Sequence, residues 1–306
     1  MDVERIALAS REEFESRFEE PRLPVVMLGA IDRWPALGKW SFAWFREKFG
    51  ERRVRCRGVA GDFRLDEYID RVPHSTMEAP LPYLRNLNIQ PDWRELEADI
   101  QPTLEVSQPD WLSSWAMPRN WPRQKNLNQL FFSGRGVRIS LHYDDWMTHN
   151  VVSNLEGEKE FTLYPPSDGK YLYPHDVDYL VSQIPNVYDV DLAKFPLYAK
   201  ATPLRVVVGP GETIFVPCGW WHTTLTLSPC ISVSSSFVGR HNWHSFADEV
   251  VDLRKRNRTP SWKTAILSTY LKIVGRALAA YYTVAATLVD TSLDAAGVLD
   301  AVLAAG

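Results

Sequence analysis

The chain has 306 residues, 45% of them hydrophobic and 12% aromatic, which is enough apolar material for the core of one large domain or two small ones. Its formal net charge is −4 and no basic domain stands out, so the composition disfavours nucleic acid as the default partner. The three cysteines are too few and too scattered for a disulfide framework, and the charged first residues lack the apolar core of a signal peptide, so we expect a cytoplasmic protein.

Residues 1–122 predict short helices and strands that pack on the remainder of the chain. Ser10 and Glu13 stand at the two ends of a capping-box pattern, which opens a helix. The segment 73–122 is rich in proline and tryptophan, which is typical of irregular structure with short helices. The other predicted elements are a strand at 24–28, a helix that Ser41 caps and Gly50 ends, and an edge strand at 53–57.

Residues 123–240 carry a series of short apolar runs separated by turn signals such as Gly209-Pro210-Gly211. The predicted strands lie at 130–132, 137–143, 150–155, 159–164, 204–208, 213–216, 222–227 and 231–238. Many short antiparallel strands with no helix between them predict a mainly β fold with a double-stranded β-helix core, the jelly-roll class that includes cupins. The loop at 165–203 is long for a compact domain, and loops of that length are often functional.

Residues 241–306 predict a C-terminal helical segment. Lys272 and Arg276 interrupt its apolar stretch, and the uncharged remainder, 277–289, is too short to span a bilayer, so membrane insertion is not expected. The predicted helices lie at 241–256, 261–289 and 292–304, with Thr259-Pro260 between the first two and Ser292 as the cap of the third.

An apolar stripe runs along the second of these helices, at Leu267, Leu271, Val274, Leu278 and Tyr281. One interpretation is packing on the chain's own barrel. Because the helix is apolar on more than one side, we expect a further partner and therefore a homodimer formed through the C-terminal helices. An anchor at a membrane surface is the lesser alternative.

A His-x-Asp motif at His142 and Asp144 is followed, eighty residues later, by His222. On a strand, residues i and i+2 point to the same face, so His142 and Asp144 can bind one metal, and His222 can reach it from a neighbouring strand. Two histidines and one carboxylate form the facial triad that holds Fe(II) and leaves positions open for O2 and a cosubstrate. Iron fits this ligand set better than zinc, because activation of O2 is a redox reaction and needs a metal that changes valence. Asp145 points to the opposite face of such a strand.

The residues around these ligands resemble a known family. Gly157-Glu158-Lys159 opens a strand that ends at Tyr164-Pro165-Pro166, and the apolar run 206–217 leads into Trp220-Trp221-His222. Over 125–238 the chain resembles the JmjC (cupin-like) 2-oxoglutarate oxygenases, and it looks most similar to the branch typified by the asparaginyl hydroxylase that inhibits hypoxia-inducible factor. The resemblance implies Fe(II), 2-oxoglutarate and O2 as cofactor and cosubstrates, and a homodimer formed by C-terminal helices.

Four residues match positions that bind 2-oxoglutarate in the resembled family. The match implies that Lys159 binds the distal carboxylate, that Tyr83 donates to the same carboxylate, that Asn150 lies near the metal-chelating end, and that Ser236 takes the place of an asparagine on the last strand. A solvated lysine and a core tyrosine are the alternatives for the first two. Three residues before the first ligand, Ile139 stands where the family often has Thr or Ser, and one missing hydrogen bond costs roughly 0.5–1.5 kcal/mol.

We therefore predict an oxygenase that hydroxylates a C–H bond of a protein, peptide or small amino-acid-like substrate. The first alternative is an N-methyl demethylase of the same family, which would release formaldehyde. The second is a non-catalytic, metal-binding cupin that acts through its C-terminal helices. A metal-dependent isomerase or lyase on the same barrel would not need Lys159.

Overall fold

The computed structural model describes residues 2–7, 10–56, 59–117 and 128–304, with side chains placed up to residue 285. Its strands are β1 (Glu4–Ala7), β2 (Val25–Leu28), β3 (Arg53–Val54), β4 (Phe63–Arg64), β5 (Leu84–Asn88), β6 (Asn128–Ser133), β7 (His149–Glu156), β8 (Lys159–Tyr164), β9 (Leu204–Val208), β10 (Glu212–Val216), β11 (Trp221–Thr226) and β12 (Cys230–Phe237). Its helices are α1 (Arg11–Phe14), α2 (Phe42–Phe49), α3 (Leu65–Arg71), α4 (Ile89–Asp92), α5 (Trp243–Arg256) and α6 (Ser261–Ala304), with short π and 3-10 turns between them.

Two sheets form the body of the molecule. The larger has the strand order β1-β2-β10-β7-β12-β6-β5, and the smaller has the order β11-β8-β9. Every pairing is antiparallel except that of β1 with β2. Apolar residues of both sheets, among them Val26, Phe161, Val208 and Ile214, pack together. The mainly β, jelly-roll prediction is confirmed.

The alternation of side chains along β12 explains how the larger sheet serves two purposes. Ile231, Val233 and Phe237 face one side and join the main hydrophobic core, which the N-terminal helices and aromatic side chains cover. Ser232 and Ser234 face the other side and line a cavity between the sheets. Successive residues of a strand point to opposite faces, so a single strand can supply both the core and the wall of a polar cavity.

The predicted strand at 137–143 is wrong in detail, because the segment makes only isolated bridges to β11. Arg138 lies opposite Leu225 and His142 lies opposite His222. The interval from Arg138 to His142 is four residues long, whereas the paired interval on β11 is three residues long. The segment therefore contains one extra residue, which interrupts the hydrogen-bonded ladder between the two. This is the geometry of a β-bulge, a device that re-aims side chains next to functional sites.

The N-terminal predictions hold for two helix caps and fail for one strand. Ser10 accepts a hydrogen bond from the Glu13 amide, and Ser41 accepts one from the Trp44 amide. The edge strand expected at 53–57 is limited to Arg53–Val54, and Arg57 lies outside the described residues, as do residues 123–127 at the start of the predicted barrel. Four helices and strands within the described part of the chain were not predicted, namely β1, β4, α3 and β5.

The C-terminal helices differ from the prediction at two points. A single helix runs over Ser261–Ala304, so Ser292 caps no separate helix, because no proline interrupts this range. The buried stripe follows Leu271, Val274 and Leu278 and then continues to Tyr282, whereas Tyr281 is half exposed. No helix in the described part of the chain combines the length and apolarity needed to cross a membrane.

Candidate metal centre

Three side chains converge at one end of the cavity. Nitrogen or oxygen atoms of His142, Asp144 and His222 all lie within 4.8 Å of one another. Asp144 Oδ1 is 3.8 Å from His142 Nε2 and 3.9 Å from His222 Nε2. Two imidazoles and a carboxylate on one side, with a cavity on the other, match the donor set and open face of a non-haem Fe(II) site. Within the described residues, this is the one group of three or more such side chains close enough to share a metal.

Backbone pairing fixes the two histidines beside each other. The amide of His142 donates to the carbonyl of His222 at 3.0 Å, and the amide of His222 donates back at 2.6 Å. The Nδ1 atoms lie 2.8 Å from the Ser140 carbonyl and 3.1 Å from the Trp220 carbonyl, respectively. A carbonyl only accepts, so each Nδ1 carries the proton and each Nε2 presents its lone pair to the shared space.

Asn150 orients the carboxylate of the triad. Its Nδ2 donates to Asp144 Oδ2 at 3.1 Å, which leaves Oδ1 facing the two histidines. Ser234 Oγ in turn donates to Asn150 Oδ1 at 2.8 Å, so the amide cannot rotate freely. Partners of this kind orient metal ligands and commonly affect metal affinity.

The electrostatics of the site favour a neutral ligand histidine. Burial and the neighbouring His222 lower the pKa of His142 to about 4, although Asp144 acts in the opposite direction. The imidazole is therefore uncharged at neutral pH. A neutral imidazole is the form that binds a metal.

Lys159 is fully buried in the same cavity. Its Nζ donates to the hydroxyl of Tyr83 at 3.0 Å and to Ser232 Oγ at 2.7 Å, and no carboxylate pairs with it among the described residues. Burial opposes the ammonium charge, but Tyr83 and Cys230 hold the pKa of Lys159 above its usual value. A buried cation with only neutral partners is stabilised by an anion, so this end of the cavity is suited to a carboxylate.

The cavity that joins these groups has a volume of about 600 Å³ and is lined by residues of both sheets. Ile139 and Ser236, two positions singled out in the sequence, both line it. So does Thr224, whose hydroxyl was not predicted. Neither Thr224 nor Ser232 was predicted. Thr224 stands two residues after His222, and Ser232 stands two residues before Ser234, which also lines the cavity. Alternation with a period of two would have identified both.

Two other features that the sequence marked have different locations. The long loop at 165–203 contributes Asp178, Leu180 and Val181 to the cavity wall, and its functional role stays a prediction. Trp220 and Trp221 are buried in hydrophobic clusters on either side of β11. They pack the protein around the last ligand.

Comparison with known proteins places this site in a family. The family described as "Cupin-like domain" matches residues 11–240. The chain is 31% identical over 247 residues to "Lysine-specific demethylase 8" of Danio rerio, a match that covers 76% of this chain and 57% of that protein. It is 26% identical to "tRNA wybutosine-synthesizing protein 5" of Homo sapiens, with 74% of each chain covered. It is also 26% identical to "Bifunctional peptidase and (3S)-lysyl hydroxylase JMJD7" of Homo sapiens, with 70% of this chain and 77% of that protein covered.

The matched region is only part of some relatives. The chain spans 57%, 26% and 59% of three curated relatives, from Danio rerio, Arabidopsis thaliana and Drosophila melanogaster. The narrower likeness to the asparaginyl hydroxylase branch stays a prediction.

Proposed function

The chain belongs to the cupin-like JmjC domain family, and on this basis we propose that it is an Fe(II)- and 2-oxoglutarate-dependent oxygenase. The observation that carries the proposal is the coexistence, in one cavity, of the His142, Asp144 and His222 triad with a buried ammonium that has no anionic partner in the described chain. The triad suits the metal-chelating keto acid end of 2-oxoglutarate, and the buried ammonium suits its distal carboxylate.

The residues have distinct roles in this proposal. His142, Asp144 and His222 hold the iron, which when bound supplies the redox chemistry of O2 activation. Lys159 pairs with the distal carboxylate of 2-oxoglutarate, and Tyr83 and Ser232 orient the ammonium.

Other cavity residues hold the carboxylate of the triad and enclose the cosubstrate. Asn150 keeps one oxygen of Asp144 aimed at the metal position. Ser236 and Thr224 contribute hydroxyl groups to the wall of the cavity. The overall reaction converts a C–H bond, O2 and 2-oxoglutarate into an alcohol, succinate and CO2.

We infer that the substrate is a basic side chain of a protein or peptide. Two of the compared relatives are named for action on lysine. The cavity wall of this chain bears the carboxylates of Asp145 and Asp178 in addition to the metal-binding Asp144, and it also bears the guanidinium of Arg85. The expectation that Asp145 points to the opposite face is wrong, because the chain turns at 145–147 instead of continuing as a strand. Carboxylates favour an ammonium or guanidinium group by direct charge pairing. A hydroxylated product identifies a hydroxylase, and formaldehyde from an N-methylated peptide identifies the demethylase alternative.

The proposal is tested by measuring succinate formed from 2-oxoglutarate by the Fe(II)-loaded protein in air. Turnover is expected for the wild type and is expected to be absent in His142→Ala. In Lys159→Ala the KM for 2-oxoglutarate is expected to rise about 10- to 100-fold, because hydrogen bonds to charged groups contribute about 1.5–3 kcal/mol. Lys170→Ala, which removes an exposed lysine, is the matched control and is expected to behave as the wild type.

Two results would contradict the proposal. Undiminished, iron-dependent turnover in His142→Ala would show that the triad is not the metal site. Failure of the wild type to bind 2-oxoglutarate or to form succinate with any basic peptide would favour the non-catalytic, metal-binding cupin.

We also propose that the chain forms a homodimer through α6. Exposed apolar side chains lie on the face of this helix that points away from α5, and they are Trp262, Ile266, Ile273 and Val284. Positions four, seven and eleven residues apart share one side of a helix, so these four form a continuous stripe. A stripe of this kind is stabilised by contact with another apolar surface.

A further inference from the structure

The turn that follows Asp144 has an unusual backbone. Trp146 has φ 58° and ψ 19°, and Met147 has φ 50°, so two successive residues with side chains adopt the left-handed conformation. Residues other than glycine rarely do so, and such conformations persist only where surrounding contacts enforce them. The turn lies immediately after one proposed metal ligand.

Three contacts enforce this conformation. Asn242, which is fully buried at the start of α5, donates from Nδ2 to the Met147 carbonyl at 2.9 Å. The Trp146 ring packs against Phe246, one turn further along the same helix, at 6.0 Å between ring centroids. The Met147 side chain lies on Gly219, where an added Cβ would come within 3.1 Å of its terminal carbon.

The turn therefore connects the two halves of the triad. Asp144 precedes it by two residues, and Gly219, on which Met147 lies, precedes His222 by three. Asn242 is itself fixed, because its Oδ1 accepts a hydrogen bond from the Gly239 amide at 2.7 Å. A rotation of the Met147 peptide would move the chain that carries the Asp144 carboxylate.

We propose that Asn242 is a positioning residue for the metal site, acting through the Met147 carbonyl and the strained turn at Trp146–Met147. The inference rests on the proposed metal-binding role of the triad. It assigns to the residue that directly precedes α5, ninety-eight positions beyond Asp144 in sequence, part of the geometry that sets metal affinity.

Asn242→Asp is the sharpest substitution. The side chain keeps its shape and an oxygen for the Gly239 amide, but it loses the NH2 group that donates to the Met147 carbonyl at 2.9 Å and to the Phe237 carbonyl at 3.5 Å. Asn242→Ser is the second variant, since serine is well tolerated directly before a helix but is too short to reach Met147. Asn154→Asp is the matched control: Asn154 is also fully buried and donates to a backbone carbonyl, that of Val208 at 2.7 Å, away from this turn.

The experiment is titration of the metal-free proteins with Co(II), followed by the visible absorption of the bound ion and by the thermal midpoint with and without metal. We expect both Asn242 variants to bind Co(II) about 10-fold or more weakly, with an altered visible spectrum, since removal of a residue that orients a ligand costs about 10- to 100-fold in affinity. Asn154→Asp is expected to keep the wild-type affinity and spectrum even where its metal-free thermal midpoint falls.

Each other outcome is decisive. Wild-type affinity and spectrum in the Asn242 variants would overturn the inference and leave the proposed function intact. Equal weakening in Asn154→Asp would also overturn it, because general destabilisation would then explain the effect. A wild type that binds no Co(II) would remove the metal site itself, and the proposed function and this inference would fail together.

Discussion

His149 shows at the residue scale that a buried histidine near the metal site need not belong to it. The Cys218 amide donates to His149 Nδ1 at 3.0 Å. His149 Nε2 has no hydrogen-bond partner among the residues that the structure describes, and it lies 4.0 Å from the buried carboxylate of Glu19. Burial holds the pKa of His149 well below its usual value, and Arg22, His241 and Arg11 add repulsion. The folded protein therefore keeps this ring neutral.

The first prediction concerns the pH dependence of stability. The unfolded chain binds a proton at His149 with a pKa of about 6.5 and the folded chain does not, so stability present above that pH is lost as the pH falls, by about 1.4 kcal/mol per pH unit at most. Burial raises the pKa of Glu19, which has the opposite sign: its protonation in the folded state offsets part of the loss at lower pH. We expect His149→Asn to flatten the profile between pH 6.5 and 5.5 by about 1 kcal/mol.

Urea unfolding at pH 7.5, 6.5 and 5.5 measures this change. The asparagine oxygen retains an acceptor for the Cys218 amide, so the comparison isolates the titration. His175→Asn, which replaces an exposed histidine, is the control and should follow the wild type. Parallel profiles for the wild type and His149→Asn would refute the prediction.

At the scale of elements, the metal site is assembled from parts that are distant in sequence. The bulged segment before His142 pairs with β11, and α5 holds the turn after Asp144. Helix α6 in turn fixes α5, since Trp243 Nε1 donates to the Leu271 carbonyl at 3.1 Å. Asn242 directly precedes Trp243. The packing of α6 against α5 therefore affects the position of the residue that contacts the turn after Asp144.

The second prediction tests this seating by Gly275→Ala. A Cβ at Gly275 would lie 2.2 Å from Trp243 Nε1, in the buried contact between α5 and α6. Helix propensity alone predicts a gain of about 1 kcal/mol from Gly to Ala. Overpacking predicts a loss of about 1–3 kcal/mol, and we expect the loss to dominate.

The measurement is the free energy of unfolding from urea titration. Thr269→Ala, at an exposed position of the same helix, serves as the control and is expected to change stability little. Stabilisation by Gly275→Ala would mean that α6 does not pack on Trp243 as described.

At the scale of the whole molecule, the apolar stripe on α6 is exposed and has no partner within the described chain. Trp262, Ile266 and Ile273 are each about 60% exposed, although they lie on a helix whose opposite face is well packed. Single exposed apolar residues need no explanation, but a continuous stripe marks an interaction surface. The proposed homodimer would bury it.

The third prediction is that Ile273→Asp shifts the protein from dimer to monomer, because it places a charge in the centre of the stripe. Sedimentation equilibrium over micromolar concentrations is the measurement. Lys272→Asp introduces the same group one residue away, about 100° round the helix, and should leave the dimer in place. A wild type that is monomeric throughout this range would contradict the dimer without affecting the proposed chemistry.

The sequence alone determined most of the strand pattern of the barrel, apart from the segment 137–143, and the residues that meet at the metal position. Both depend on local rules. Turn residues punctuate short apolar runs, and period-two alternation places His142 and Asp144 on one side of an extended segment. The buried lysine was identified by resemblance, together with its partner Tyr83.

Only the tertiary structure decided which groups contact one another across strands. The bulge opposite β11, the bond from Lys159 to Ser232 and the bond from Asn242 to Met147 each join segments that are far apart in sequence. Such contacts depend on strand register and helix packing, which hydrophobic periodicity does not specify, because a one-residue shift reverses every side chain of a strand. The continuity of α6 through Ser292 has the same origin, since a capping residue permits a helix to begin but does not force one to end.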